Sequence, residues 1–127
     1  EEYTVDVFLD FDSNIITAVP RRRLAMRSGE IAKGKIVRDE AVVRDVERLM
    51  HVLKPIGQIT VQCMKTERGI EYIKINPRFG GGAPMSIAAG ADSCENLYRL
   101  LRGEELSYRD DYRDGAVFLR FDSSIEV

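Results

Sequence analysis

Ile75-Asn76-Pro77-Arg78-Phe79-Gly80-Gly81-Gly82 follows directly on an alternating segment, Gly69-Ile70-Glu71-Tyr72-Ile73-Lys74. The alternation predicts a strand. A strand that delivers an Asn and an Arg to its end, then breaks into three glycines, suits metal and phosphate chemistry. The Asn oxygen is a hard ligand of the kind Mg²⁺ takes. A guanidinium can fork two oxygens of a phosphate or carboxylate. Glycines let the backbone approach a bulky anion, or turn sharply, with no Cβ in the way. Asn-Pro alone is ordinary turn punctuation; the specificity lies in the whole string.

Working back from that string, Gln58 to Met64 and Ile70 to Ile75 read as a hairpin joined around Thr66-Glu67-Arg68-Gly69, with Gly69 supplying the left-handed conformation a short loop needs. Side chains two apart on a strand share a face. Tyr72, Lys74 and Asn76 are therefore expected on one face, with Ile73 and Ile75 on the opposite, core-facing one. If the loop closes around Arg68, Gln62 lies opposite Lys74. Gln62, Lys74 and Asn76 then converge beside Arg78 at one end of the sheet.

Tyr3 to Leu9 alternates as a strand, Asp12-Ser13-Asn14 turns, and Ile15 to Val19 returns as its partner before Pro20, which is expected to end the hairpin. Glu30 to Val37 is a third strand weakened by Gly34. Asp39 is a good N-cap for a helix whose apolar stripe is Val42, Val46, Leu49, Met50 and Leu53, stopped by Pro55 and Gly57. A short helix is expected over Pro84 to Ala89. A second starts at Asp92-Ser93-Cys94-Glu95 and stops at Gly103, and a last strand runs from Gly115 to Phe121. The fold class is α+β: a mainly antiparallel sheet with helices packed on one face.

The 127 residues are a single-domain length, with 44% hydrophobic and 31% charged residues and no apolar run long enough for a membrane span. Cys63 and Cys94 lack metal-type spacing and read as reduced thiols of a cytoplasmic protein. His51, the only histidine, falls in a helix's last turn and reads as a surface residue. The start at Glu-Glu suggests a piece of a longer protein. A net charge of −2 conceals a basic stretch from Arg21 to Arg38 and an acidic one beyond Gly103. The basic stretch lacks interleaved aromatics, which favours a small anion over a nucleic-acid polymer.

The Ile75–Gly82 string, with Gln62 twelve residues before Lys74, resembles the C-terminal active-site motif of the ATP-grasp ligases. Its form is similar to the large-subunit modules of carbamoyl-phosphate synthase and their relatives. The likeness runs from Glu2 to about Gly103 and covers the second half of that fold. It implies ATP and Mg²⁺ (or Mn²⁺) as cofactors, with Gln62 and Asn76 as metal ligands and as contacts to the metal–nucleotide complex. It implies Arg78 as the catalytic residue that steadies the transferred phosphoryl group. Glu2 matches a position used on the ribose hydroxyls, and Arg27 lies in a loop brought against the phosphates. Arg21 to Arg23 are open to either an acidic substrate or solvent.

Lys74 departs from the pattern, because the family places a metal-bridging Glu there. An ammonium has no acceptor and repels a cation; at an effective dielectric near 20 the repulsion a few ångströms away is on the order of several kcal/mol. Either the metal load is reduced, with Lys74 contacting phosphate, or the site is catalytically dead. Glu71 is not an easy substitute if odd positions face the core.

The resemblance implies a parent enzyme that phosphorylates a small carboxylate with ATP and lets an amine displace phosphate from the acyl-phosphate. Its partners are the remaining ATP-grasp lobes of the same chain; no membrane partner is expected, and a monomer and a homo-oligomer are both compatible with the sequence. The isolated piece is expected to fold without catalysing. The alternatives are a degenerate, non-catalytic ATP-grasp module acting in binding or assembly, and nucleic-acid binding through residues 21–38.

Overall fold

A computed structural model describes residues 1–27 and 30–127, leaving aside the side chains of residues 25–32. Six strands form one antiparallel sheet in the order β5-β4-β1-β2-β3-β6. They are β1 (Glu2–Leu9), β2 (Ile15–Arg27), β3 (Glu30–Ile36), β4 (Gly57–Thr66), β5 (Gly69–Asn76) and β6 (Val117–Leu119). Among the described residues three helices complete the fold: α1 (Glu40–Leu53), α2 (Ala83–Ala88) and α3 (Ser93–Leu101). None of the helices among the described residues is long and apolar enough to cross a membrane.

The α+β class and antiparallel sheet are as the sequence predicts, but the helices are divided between the faces rather than gathered on one. β1 is central, and both of its faces are buried. Its odd residues Tyr3, Val5, Val7 and Leu9 pack with Ile59, Val61 and Cys63 of β4 against Val42, Val46 and Met50 of α1. Phe8 packs on the other face with Ile16 and Leu100 of α3. An apolar residue at an even position of β1 is the local sign that the second face also needs a cover.

α1 begins where the side chain of Asp39 accepts from the backbone N–H groups of Ala41 and Val42, and it ends at Lys54, whose φ of 51° is left-handed. Its core stripe is Val42, Val43, Val46 and Met50, whereas Leu53, the last residue of the helix, is half exposed. His51 lies exposed in the last turn.

Pro20 does not end β2, contrary to the sequence reading. It pairs with Val5 of β1, and its carbonyl accepts from Val37 just beyond the end of β3. The missing N–H points the same way as that carbonyl, to where the neighbouring ladder is finishing, so no interior hydrogen bond is lost. The final strand is only Val117–Leu119, shorter than predicted, and pairs with Lys33, Gly34 and Lys35.

Candidate functional site

The β4–β5 hairpin closes in a two-residue turn at Glu67-Arg68, with Thr66 opposite Gly69. The expected register holds where it matters: Gln62 pairs with Lys74, and Thr60 with Asn76. Directly paired residues share a face, so Gln62, Lys74 and Asn76 lie on one surface.

Farther along β5 the expectation fails. Cys63 pairs with Tyr72 while Gln62 pairs with Lys74, leaving Ile73 as an extra residue in a β-bulge. The bulge resets the alternation. Tyr72 turns to the α1 face, where its hydroxyl donates to Asp45 at 2.5 Å; burial first, then that bond, raise its pKa. Tyr72 therefore does not share the surface of Lys74 and Asn76. Ile73 and Ile75 are not core residues either; they are 57% and 38% exposed, because β5 is an edge strand. Glu71, opposite Met64, comes round to the face of Gln62.

After Asn76 the chain turns at Pro77, with the Arg78 N–H donating to the Asn76 carbonyl at 2.9 Å. The Thr60 hydroxyl holds the Arg78 carbonyl at 2.8 Å. The glycine loop then lies flat on the sheet. A Cβ at Gly80 would stand 3.0 Å from Thr60 Oγ1, and one at Gly82 would stand 2.4 Å from an Arg21 Nη. Gly82 has φ −92° and ψ −1°, which any residue tolerates. Close approach, not an unusual backbone angle, is what demands glycine here.

Together these parts enclose an open cleft of about 240 Å³. Its wall is Gln62, Lys74, Asn76 and Arg78, its rim the three glycines, and its floor Thr4 and Thr60, with Arg21, Arg23 and Arg120 along the β2 and C-terminal side. Alternation sends Arg21 and Arg23 into this surface and Arg22 to the other, where it meets Glu1 at 3.2 Å.

Arg21 is the residue sequence reading undervalued. Its side chain is 1% exposed, bonds Asp6 at 2.5 Å and Ser86 of α2 at 3.1 Å, and Ser86 in turn donates to Asp6 at 2.5 Å. This buried triangle ties β1, β2 and α2 together under the glycine loop. A signal was available: Asp6 shares its strand face with the apolar Phe8, and an acid buried on that face calls for a cationic partner. Arg120 falls in the expected Gly115–Phe121 strand, within a stretch whose charge balance is acidic, and no local pattern marks it as a cleft residue.

Glu2 sits on the cleft face, one same-face pair from Gln62, and its carboxylate is held by Arg23 at 2.8 Å. The side chain of Arg27 and the rest of the expected 25–29 loop contact lie outside the described residues. Lys74 and Arg78 have no ion-pair partner among the described residues; Arg78 donates to the Phe79 carbonyl at 3.0 Å.

The donor set fits a divalent metal poorly. The cleft offers two neutral amide oxygens, from Gln62 and Asn76, and no lining carboxylate, whereas Mg²⁺ is bound through carboxylates and phosphates. Asp6, Glu2 and Glu71, the carboxylates that β1 and β5 place on this face, are paired to Arg21, Arg23 and Arg68. No group of three His, Cys, Asp or Glu side chains that could hold a metal ion occurs among the described residues.

The fold matches the crystal structure of the phosphoribosylaminoimidazole carboxylase ATPase subunit from Aquifex aeolicus, with a TM-score of 0.66 at 17% identity over 84% of this chain. The chain spans 36% of the length of that structure. No curated protein is significantly similar in sequence. The profile of the family described as "ATP-grasp in the biosynthetic pathway with Ter operon" matches residues 1–120. With nearly its whole length covered by that profile, this chain belongs to the ATP-grasp family.

Proposed function

We propose that this chain is the phosphate-holding C-terminal part of a longer ATP-grasp ligase, of the carboxylate–amine or carbamoyl-phosphate-synthase-like kind, working with the remaining lobes of the same protein. The observation that carries the reading is the convergence of Gln62, Lys74, Asn76 and Arg78 with the glycine loop on one cleft. A cleft of about 240 Å³ is below the usual range for a whole small-molecule ligand. It suits a phosphate chain, so the nucleoside has to be held by another lobe.

In this reading a substrate carboxylate oxygen attacks the γ-phosphorus of ATP, ADP leaves, and an amine then displaces phosphate from the acyl-phosphate. Phosphoryl transfer needs positioning and charge stabilisation rather than a protein nucleophile. Arg78 meets charge developing on the transferred group. Lys74 faces the same oxygens, and the amide NH₂ groups of Gln62 and Asn76 can donate to the chain behind them. ATP-grasp enzymes generally use Mg²⁺ with ATP, but the two amide oxygens lining this cleft fit that ion poorly. Two free cysteines, Cys63 and Cys94, suit a reducing compartment such as the cytoplasm.

The test is ADP release by the full-length protein with panels of small carboxylates and amines. Arg78→Ala lowers kcat by about a hundredfold or more, and the isolated chain releases no ADP. Full activity in Arg78→Ala, or turnover by the isolated chain, overturns the proposal. Lys74 also favours a second reading, a non-catalytic binding or assembly module. A large gain in ligation on Lys74→Glu marks a degraded site; no activity in either form marks the module.

A further inference from the structure

We infer that the cleft binds its polyphosphate free of divalent metal, with Lys74 and Arg78 supplying the charge that a metal ion would otherwise bring. The inference rests on the reading of the cleft as a phosphate site and goes beyond it by fixing the ionic form of the ligand. Lys74 stands directly opposite Gln62, next to the Thr60–Asn76 pair. A cation held by the Gln62 and Asn76 amides would therefore sit against an ammonium that has no acceptor to offer it. The acids that could offset this are engaged: Glu2 with Arg23 at 2.8 Å, Glu71 with Arg68 at 2.9 Å, and buried Asp6 with Arg21. Lys74 and Arg78, by contrast, have no carboxylate partner among the described residues. A metal-free polyphosphate brings the negative charge that these two cations lack, and Mg²⁺ chelated by the same phosphates would cancel it.

The experiment is calorimetric titration of the purified chain with inorganic tripolyphosphate, once in EDTA and once in excess Mg²⁺. ATP is titrated in parallel to separate a nucleotide from a bare phosphate chain. Tripolyphosphate is expected to bind about tenfold or more tightly in EDTA. Lys74→Glu reverses the preference, so that binding requires Mg²⁺, and Lys74→Met weakens the EDTA affinity without creating a Mg²⁺ requirement. Lys74 is exposed on an edge strand, so both variants keep the fold, which circular dichroism verifies. Arg44→Ala, on α1 across the sheet, leaves both affinities unchanged. Tighter binding of the wild type with Mg²⁺ overturns the inference and leaves the phosphate reading standing. An effect of Arg44→Ala equal to that of Lys74→Met overturns it as non-specific attraction. No binding in either buffer removes the phosphate reading and the inference together.

Discussion

Gly82→Ala is the sharpest test of how the cleft is built. An added methyl would lie 2.4 Å from one Arg21 Nη, 2.6 Å from Cζ and 2.8 Å from Nε. Ordinary carbon contacts lie near 3.5–4 Å, so the guanidinium or the loop must shift by roughly 1 Å. Arg21 cannot swing into solvent, since its side chain is 1% exposed and bonded to Asp6 and Ser86. A shift of that size breaks at least one charge-assisted bond, worth about 1.5–3 kcal/mol; loss of the whole buried pair costs about 3–5 kcal/mol. The expected loss of stability is about 2–4 kcal/mol, read as a fall in the urea midpoint at unchanged m. Gly80→Ala meets Thr60 at 3.0 and 3.1 Å and costs less, about 1–2 kcal/mol. In an Asp6→Leu/Arg21→Met background the same Gly82→Ala change costs under about 1 kcal/mol, because the obstacle is gone. A Gly82→Ala protein as stable as wild type, or an equal cost in both backgrounds, refutes the close-approach argument.

Asp39→Ala removes both the α1 cap and the acceptor for Lys65 at 2.6 Å and Tyr3 at 3.0 Å, and costs about 1–3 kcal/mol in denaturant titrations. Burial pushes the Asp39 carboxyl up, but bonds from Lys65, the Val42 N–H and Tyr3 outweigh it and hold the group below its usual range. A lowered folded pKa contributes stability that is complete above the unfolded value, about pH 4, and is lost as pH falls through the folded one. Urea midpoints of the wild type should therefore drop on acidification below about pH 4, and more steeply than those of Asp39→Asn. Cys94 is exposed and Cys63 buried, its thiol pushed up to about 11 by burial and the nearby acids Asp45 and Asp39. A thiol reagent at mildly alkaline pH labels Cys94 alone in the native protein and both cysteines in denaturant; rapid native labelling of Cys63 contradicts the packing. Deleting Ile73 removes the bulge residue yet keeps Gln62 opposite Lys74 and Cys63 opposite Tyr72. Stability stays within about 1 kcal/mol and tripolyphosphate affinity is retained, whereas an unfolded variant would show the bulge to be essential.

Local chemistry by itself determined the α1 cap at Asp39, the two-residue turn before Gly69, the pairing of Gln62 with Lys74 and the departure of Arg78 and the glycines from the strand end. These depend on neighbours in the chain or across one short hairpin, where the period of two and turn geometry suffice. The face of Tyr72 and the position of Glu71 were not legible, because one bulged residue inverts the alternation and no local signal marks Ile73 as extra. Only the tertiary structure decided that Pro20 continues its strand, that helices close both faces, and that Arg21 is buried under Gly82 with Asp6 and Ser86. Each of those depends on which strand or helix arrives from far along the chain. The charge of the cleft belongs to both levels: Lys74 is written in the sequence, but that Asp6, Glu2 and Glu71 already have arginine partners beside it depends on how β1, β2, β4 and β5 are brought together.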